Sequence, residues 1–256
     1  MNMLKPLHPL VSDPVQGWTL SPAGDSCLVV TFGAVLSAES NRLVARCARQ
    51  LDAAARQGLL PGITDIVPAM VSLGVHYRPE QVACEGDQCP FEALAAQVEA
   101  LLRQADDSQA SAPRLIEIPV CYGGEHGPDL DQVAQGLGLT PQALVDLHSG
   151  QWLDVLMVGF APGHPYIGVL DPRLDPQRRP SPRAQVAAGS IGLANRQSVI
   201  YPLELPGGWN LIGRTPLKMF DAYRGEPCLL HSGDKVRFVP IEPGQFAALS
   251  QQEYPQ

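Results

Sequence analysis

No apolar run in the 256-residue chain approaches the roughly 20 residues that a membrane-spanning helix needs. The opening, MNMLKPLHPLVSDP, is interrupted by prolines and lacks the apolar centre of a secretory signal, so a cytoplasmic protein is expected. Basic charge is also scarce, with 18 Lys and Arg against 26 Asp and Glu and a net charge of -8. Nucleic acid and anionic membrane are thereby excluded as partners, because both are held by clustered cations that displace counterions. A small anion in a local pocket is not excluded.

The familiar catalytic signatures are missing as well. There is no GxxxxGK[ST] loop, no GxGxxG after a strand, no HExxH and no GxSxG elbow. The six cysteines are scattered, and the nearest pair, Cys84 and Cys89, has four residues between, unlike a zinc knuckle or a redox pair. They read as reduced structural thiols, and no metal site is expected. Internal repeats and low-complexity tracts are absent too.

What the chain does have is turns, with 24 glycines and 25 prolines set among 45% apolar residues. GDSCLVVTFG (24–33) reads as a turn and a strand. A helix should follow, capped by Ser37, with Leu43, Cys47, Leu51 and Ala54 as its apolar stripe and Gly58 as its stop. ITDIVPAMVSLGVHY (63–77) predicts two strands broken near Pro68, and Phe91, Leu94, Ala95, Val98, Leu101 and Leu102 a second amphipathic helix. This order predicts a small α+β sandwich.

Residues 104–113, QADDSQASAP, are small and polar and read as a connection, which divides the chain into domains 1–105 and 106–256. Beyond it RLIEIPVCY is a strand, Asp129 and Thr140-Pro141 are helix starts, and Gly150 is a helix stop. Asp129 and Asp131 are expected to complement the helix dipole rather than to act in a site. WLDVLMVGF, GSIGLA, SVIYPL, WNLIG, PCLLH and KVRFVP are short strands at the spacing of a β-barrel or sandwich.

The polar residues that stand beside glycine or proline are His164, Tyr166, Arg183, Gln197, Tyr201, Trp209 and Arg214. A stiff or bent backbone holds a neighbouring side chain at a defined angle. Arg183 and Arg214 offer permanently charged planar forks suited to a carboxylate or phosphate, and His164 can transfer a proton near neutral pH.

IEIPVCYGGEHGPDLDQVA (116–134), GFAPGHPYIG (159–168), SPRAQVAAGSIGLANRQSVIYPLELPGGWNLIGRTP (181–216) and GDKVRFVP (233–240) resemble the B component of the bacterial ATP-dependent 5-oxoprolinase. That family also holds an inhibitor of a sporulation histidine kinase and proteins labelled allophanate hydrolase subunit 1. The resemblance implies an α+β protein, a small N-terminal domain followed by a cyclophilin-like β-barrel. It further implies a hydrolase component inactive alone, which joins the C-type and A-type components of 5-oxoprolinase to open 5-oxo-L-proline to L-glutamate with ATP and Mg²⁺, held here, at an interface or by a partner. On that reading Arg183, Arg214 and His164 are the catalytic candidates, and Tyr166, Gln197, Tyr201 and Trp209 line the substrate groove. Binding and inhibition of a histidine kinase, or membership of an allophanate or urea-type amidohydrolase complex, are the alternatives. The sequence departs from the family's pattern at His164, at Asn195-Arg196 and at Ser198.

Overall fold

Ser37 caps the first helix as its position predicts. In the computed structural model, which describes residues 11–13, 17–104 and 112–251, Ser40 N–H donates to Ser37 Oγ and Ser37 N–H to Ser40 Oγ, each at 3.0 Å. Helix α1 (Ala38–Arg56) has Glu39 in its first turn and Arg56 in its last, both complementary to the dipole. Gly58 follows it with φ +77°, a left-handed stop. Cys47, Leu51 and Ala54 are buried, with Leu43 packed at their margin.

The chain divides into two units, Met1–Ser111 and Ala112–Gln256. The 105/106 boundary expected from composition lies outside the described residues. In the first unit, strands β1 (Val11–Asp13), β2 (Trp18–Pro22), β3 (Cys27–Thr31), β4 (Ile63–Pro68) and β5 (Ser72–Tyr77) form an antiparallel sheet in the order β1-β2-β3-β5-β4. Helices α1 and α2 (Pro90–Arg103) bury their apolar stripes in the same core as Leu20, Leu28, Val30, Leu73 and Val75. Strand β2 carries Trp18 and Leu20 inward with alternating burial, a signal too short to stand out before a proline.

The second unit is a closed barrel of seven strands. In chain order they are β6 (Leu115–Tyr122), β7 (Leu153–Val158), β8 (Pro165–Gly168), β10 (Ser190–Ala194), β11 (Gln197–Ile200), β13 (Asn210–Arg214) and β14 (Lys235–Pro240). Around the barrel the order is β10-β11-β8-β7-β14-β6-β13, parallel only between β6 and β14. A separate two-stranded ribbon joins β9 (Arg183–Val186) to β12 (Leu205–Gly207). Helices α3 (Leu130–Gly136) and α4 (Pro141–Ser149) precede β7, and α5 (Pro243–Ser250) follows β14. The α+β class and the barrel are thus both present.

The two-residue period of a strand divides the barrel's apolar residues between two cores. Ile118, Val155, Ile167, Ile191, Leu193, Ile200, Ile212 and Phe238 fill one cluster, whereas Ala194, Val199, Tyr201, Trp209 and Leu211 join Val186 of the ribbon in another. Ile200 and Tyr201 are chain neighbours and face opposite sides. At the tip of the β10–β11 hairpin Asn195 and Arg196 have φ of +49° and +58°, the left-handed pair of a tight primed turn. Arg196 secures that turn by donating from Nε and Nη2 to the Leu170 carbonyl at 3.2 and 3.0 Å.

Two sequence expectations are corrected. PCLLH is not a strand, because only Cys228 makes a bridge, to Phe220. Its apolarity serves burial of Leu230 in the barrel core, a task a loop performs as well as a strand. Asp129 does not cap α3 with its side chain, and it has another function described below.

Candidate functional site

The loop 159–164 is a sharp corner between β7 and β8. Gly159 N–H donates to the His164 carbonyl and His164 N–H to the Ala161 carbonyl, both at 3.0 Å. Gly163 has φ +74°, and a Cβ there would meet Phe220 Cβ at 2.8 Å and the Met219 carbonyl at 3.0 Å, so only glycine fits. Phe160 is also left-handed, at φ +74°, with its ring exposed. A bulky residue in that conformation is strained, which marks the corner as tightly determined by its surroundings.

This corner delivers His164 into an aromatic box. The imidazole is only 1% exposed and lies 5.3 Å from Phe160, 5.1 Å from Tyr166 and 5.2 Å from Tyr201, centroid to centroid. Tyr166 in turn meets Trp209 edge-on at 6.1 Å. His164 Nδ1 is buried without a hydrogen-bond partner. Burial, aided by the positive charge of Arg178, pushes the imidazole down to about 4, so it is neutral at pH 7. Burial likewise pushes the Tyr201 phenol up to about 12. Tyr201 lies so close to Gly207 that a Cβ there would collide with its hydroxyl.

Arg178 covers the box from outside. Its guanidinium carbon is 4.6 Å from the Trp209 ring centre, a cation–π distance. The segment carrying it is pinned on both sides of Trp209. Asn210 Nδ2 donates to the Gln177 carbonyl at 2.9 Å, and Arg179 N–H donates to the Gly208 carbonyl at 2.8 Å.

Asp129 anchors the same segment more firmly. Its buried carboxylate accepts from Arg183 Nη1 and Nη2 at 2.9 and 2.8 Å, from Arg179 Nη1 at 3.1 Å and from Leu211 N–H at 2.7 Å. The Asp129 N–H returns a bond to the Leu211 carbonyl at 2.9 Å. Burial alone would raise the carboxyl, but the bonds from Arg183 and Leu211 and the charges of Arg183 and Arg179 hold it below its usual range. One carboxylate thereby ties the start of α3, strand β13 and the ribbon together.

Of the residues singled out from the sequence, the structure gathers His164, Tyr166, Tyr201 and Trp209 into one cluster. Arg183 lies beside that cluster, with its fork closed on Asp129 rather than open to a ligand. Arg214 stands apart at the far end of β13, about 17 Å from Trp209 at the rise of a strand. There its Nε donates to the Ala188 carbonyl at 2.8 Å and its guanidinium lies 6.0 Å from the Phe246 ring. Gln197 shares the outward parity of Val199 and Tyr201 but opens β11, paired with Gly168 and Ala194.

Three residues of the cluster escaped sequence reasoning. Asp129 looked like an ordinary first-turn acid, and Arg178 and Arg179 sit in PQRRPSPR, a stretch with the look of a solvated loop. Their one signal is a pair of arginines between prolines, a stiff setting for exposed charge. A fourth, His148, lies inside the barrel at 0% exposure. Tyr122 Oη is 2.7 Å from its Nδ1, Ser198 Oγ is 3.0 Å from its Nε2, and Ser198 Oγ donates to the Gly192 carbonyl at 3.1 Å. With that last donation assigned, the ring is the Nε2–H tautomer, accepting from Tyr122 and donating to Ser198. Burial pushes it down to about 3. It is a closed structural network.

The family described as carboxyltransferase domain, subdomain C and D, matches residues 18–230. Over 238 residues the chain is 37% identical to the 5-oxoprolinase B component of Bacillus subtilis, covering 92% of this chain and 98% of that protein. The chain belongs to the 5-oxoprolinase B-component family. The crystal structure of TTHA0988 is similar with a TM-score of 0.71 and 34% identity, over 85% of this chain and 40% of that one. The present chain therefore spans two fifths of TTHA0988. The K. lactis urea amidolyase shares the fold at a TM-score of 0.73 and 18% identity, over 96% of this chain and 16% of the yeast protein. The residues of the aromatic box and of the Asp129 anchor all lie within the matched family span.

Proposed function

We infer that this chain is the B component of an ATP-dependent 5-oxoprolinase, which opens 5-oxo-L-proline to L-glutamate together with A- and C-type components. The observation that carries this reading is the near full-length match to the Bacillus subtilis 5-oxoprolinase B component. The chemistry agrees with it. A five-membered lactam is an unactivated amide, both a poor electrophile and a poor leaving group, and activation by phosphoryl transfer overcomes both faults. Such a reaction asks a binding component for orientation and charge complementarity rather than for a covalent nucleophile.

Among the described residues no three His, Cys, Asp or Glu side chains gather as a metal-binding group. The one carboxylate of the cluster, Asp129, is already satisfied by two arginines and a backbone amide. That donor set does not suit Mg²⁺, and we assign Mg²⁺ and the ATP phosphates to a partner component. What this chain contributes is a rigid aromatic face with a neutral imidazole and an overlying cation. Tyr166, Tyr201 and Trp209 pack around the neutral His164 imidazole and brace the exposed Arg178 that lies over Trp209. Arg183 acts indirectly, by holding Asp129.

The test is to express the chain alone and with its A- and C-type partners, and to measure glutamate and ADP formed from 5-oxoproline. Activity is expected only in the assembled complex. If no combination forms glutamate, the reading falls.

A further inference from the structure

Among the described residues the cation on the aromatic box has no acidic counterpart. Among the described residues Asp129 pairs with Arg179 and Arg183, Asp171 with Arg173, and Asp234 with Arg114, while no carboxylate pairs with Arg178. Its neighbours on either side are fixed, Gln177 through its carbonyl by the Asn210 side chain and Arg179 through its N–H by the Gly208 carbonyl, and Arg179 is tied again through Asp129. An exposed arginine on a free loop loses rotamer freedom when it binds an anion, whereas one already seated on an indole loses less. Its charge also reaches inward, acting on both the His164 imidazole and the Tyr201 phenol. Within the box, His164 Nδ1 is buried with no hydrogen bond to another residue. An orphaned buried polar atom costs stability unless something outside the fold satisfies it.

From this geometry we propose that Arg178, seated on Trp209 beside His164 and Tyr201, is the receptor for the carboxylate of a small cyclic-amide acid, and that Asp129, through Arg179 and Arg183, is its positioning residue. The choice of a cyclic amide, and of a carboxylate over a phosphate, rests on the 5-oxoprolinase reading, whereas an anionic group follows from the unpaired guanidinium. A planar fork accepts a carboxylate through two parallel bonds while its face stays on the indole.

The test compares 5-oxoproline with its neutral primary amide, by titration calorimetry on the full chain and on the assembled complex. The two ligands differ at the group Arg178 is proposed to read, where the amide loses the charge and exchanges one acceptor oxygen for a donor. The acid is expected to bind about tenfold or more tightly than the amide, from the strength of a charge-assisted fork. Arg178→Gln is expected to abolish that preference and leave amide affinity within about twofold, with Arg178→Lys intermediate because an ammonium lacks the fork. Equal binding of acid and amide by the unaltered protein, failure of both to bind even in the complex, or a preference that survives Arg178→Gln would each overturn the proposal. Asp129→Asn is expected to lower the preference while amide affinity holds, and Asp129→Glu to restore part of it. An unchanged preference in a folded Asp129→Asn protein would overturn the positioning role. A complex that forms no glutamate, yet whose acid-over-amide preference depends on Arg178, would refute the 5-oxoprolinase reading and leave the carboxylate receptor standing.

Discussion

His148 and His164 are sixteen residues apart and equally hidden from solvent, yet they belong to opposite sides of the same barrel wall. Inside the barrel, both nitrogens of His148 are matched, by Tyr122 and Ser198, and its ring stacks on Phe238 at 4.2 Å. On the outside, His164 is enclosed by rings but keeps an unmatched nitrogen, with an unpaired arginine close by. Burial by itself therefore does not separate a structural histidine from a functional one. Completion of the hydrogen bonds distinguishes the two rings, and the unmatched one is the ring that the proposed site includes.

Acid exposes what the two rings share. Both imidazoles are neutral and titrate lower in the fold, near 3 and near 4, than the ordinary value of 6.5. Above pH 6.5 neither state is charged and this contribution to stability is complete. As pH falls below 6.5 the unfolded chain takes up protons first, so stability drops by about 1.4 kcal/mol per pH unit for each histidine until the folded values are reached. Across pH 6.5 to 4 the loss is on the order of 5 kcal/mol, to be read from denaturation midpoints against pH. His164→Phe should halve the slope; an unchanged slope would show that His164 is not buried in solution.

Substitution should then separate the two sides. His148→Ala leaves Tyr122 and Ser198 unmatched around a cavity and is expected to cost about 3–5 kcal/mol in urea unfolding. A cost below about 1 kcal/mol would refute the closed network. Asp129→Ala leaves two arginines without their acid. Since Arg183 and Arg179 keep 25% and 31% side-chain exposure, solvent softens the penalty to about 2–4 kcal/mol. His164→Phe, by contrast, replaces an unsatisfied ring with an apolar one and should alter stability by about 1 kcal/mol or less, in either direction, while glutamate formation by the complex falls. The smallest effect is expected for Arg178→Gln, within about 0.5 kcal/mol in stability, because its head is exposed and makes no ion pair among the described residues. A destabilised Arg178→Gln protein would make the arginine part of the scaffold.

Local chemistry was enough to identify much of this protein. The Ser37 cap, the stripe Leu43, Cys47, Leu51 and Ala54, the Pro68 break between β4 and β5, and Thr140-Pro141 at the start of α4 are visible in sequence because each acts over four residues or fewer, or at one helical period. The strand-and-turn spacing after Leu153 likewise announces a β-barrel or sandwich. Adjacency to glycine or proline also marks Tyr166, Tyr201 and Trp209 as residues of interest. Which arginine would be open to a ligand was not readable in this way. Arg183 and Arg178 are five residues apart in one polar stretch, and nothing local separates them. The decision comes from Asp129, about fifty residues upstream, which closes on Arg183 and Arg179 and leaves Arg178 over Trp209. Sequence by itself determined most of the elements, because periodicity and capping are short-range, and the family, because its resemblance rests on contiguous motifs such as GFAPGHPYIG. Only barrel closure decided the site, because it brings α3, the ribbon and β13 within hydrogen-bond reach and so settles which charges are matched.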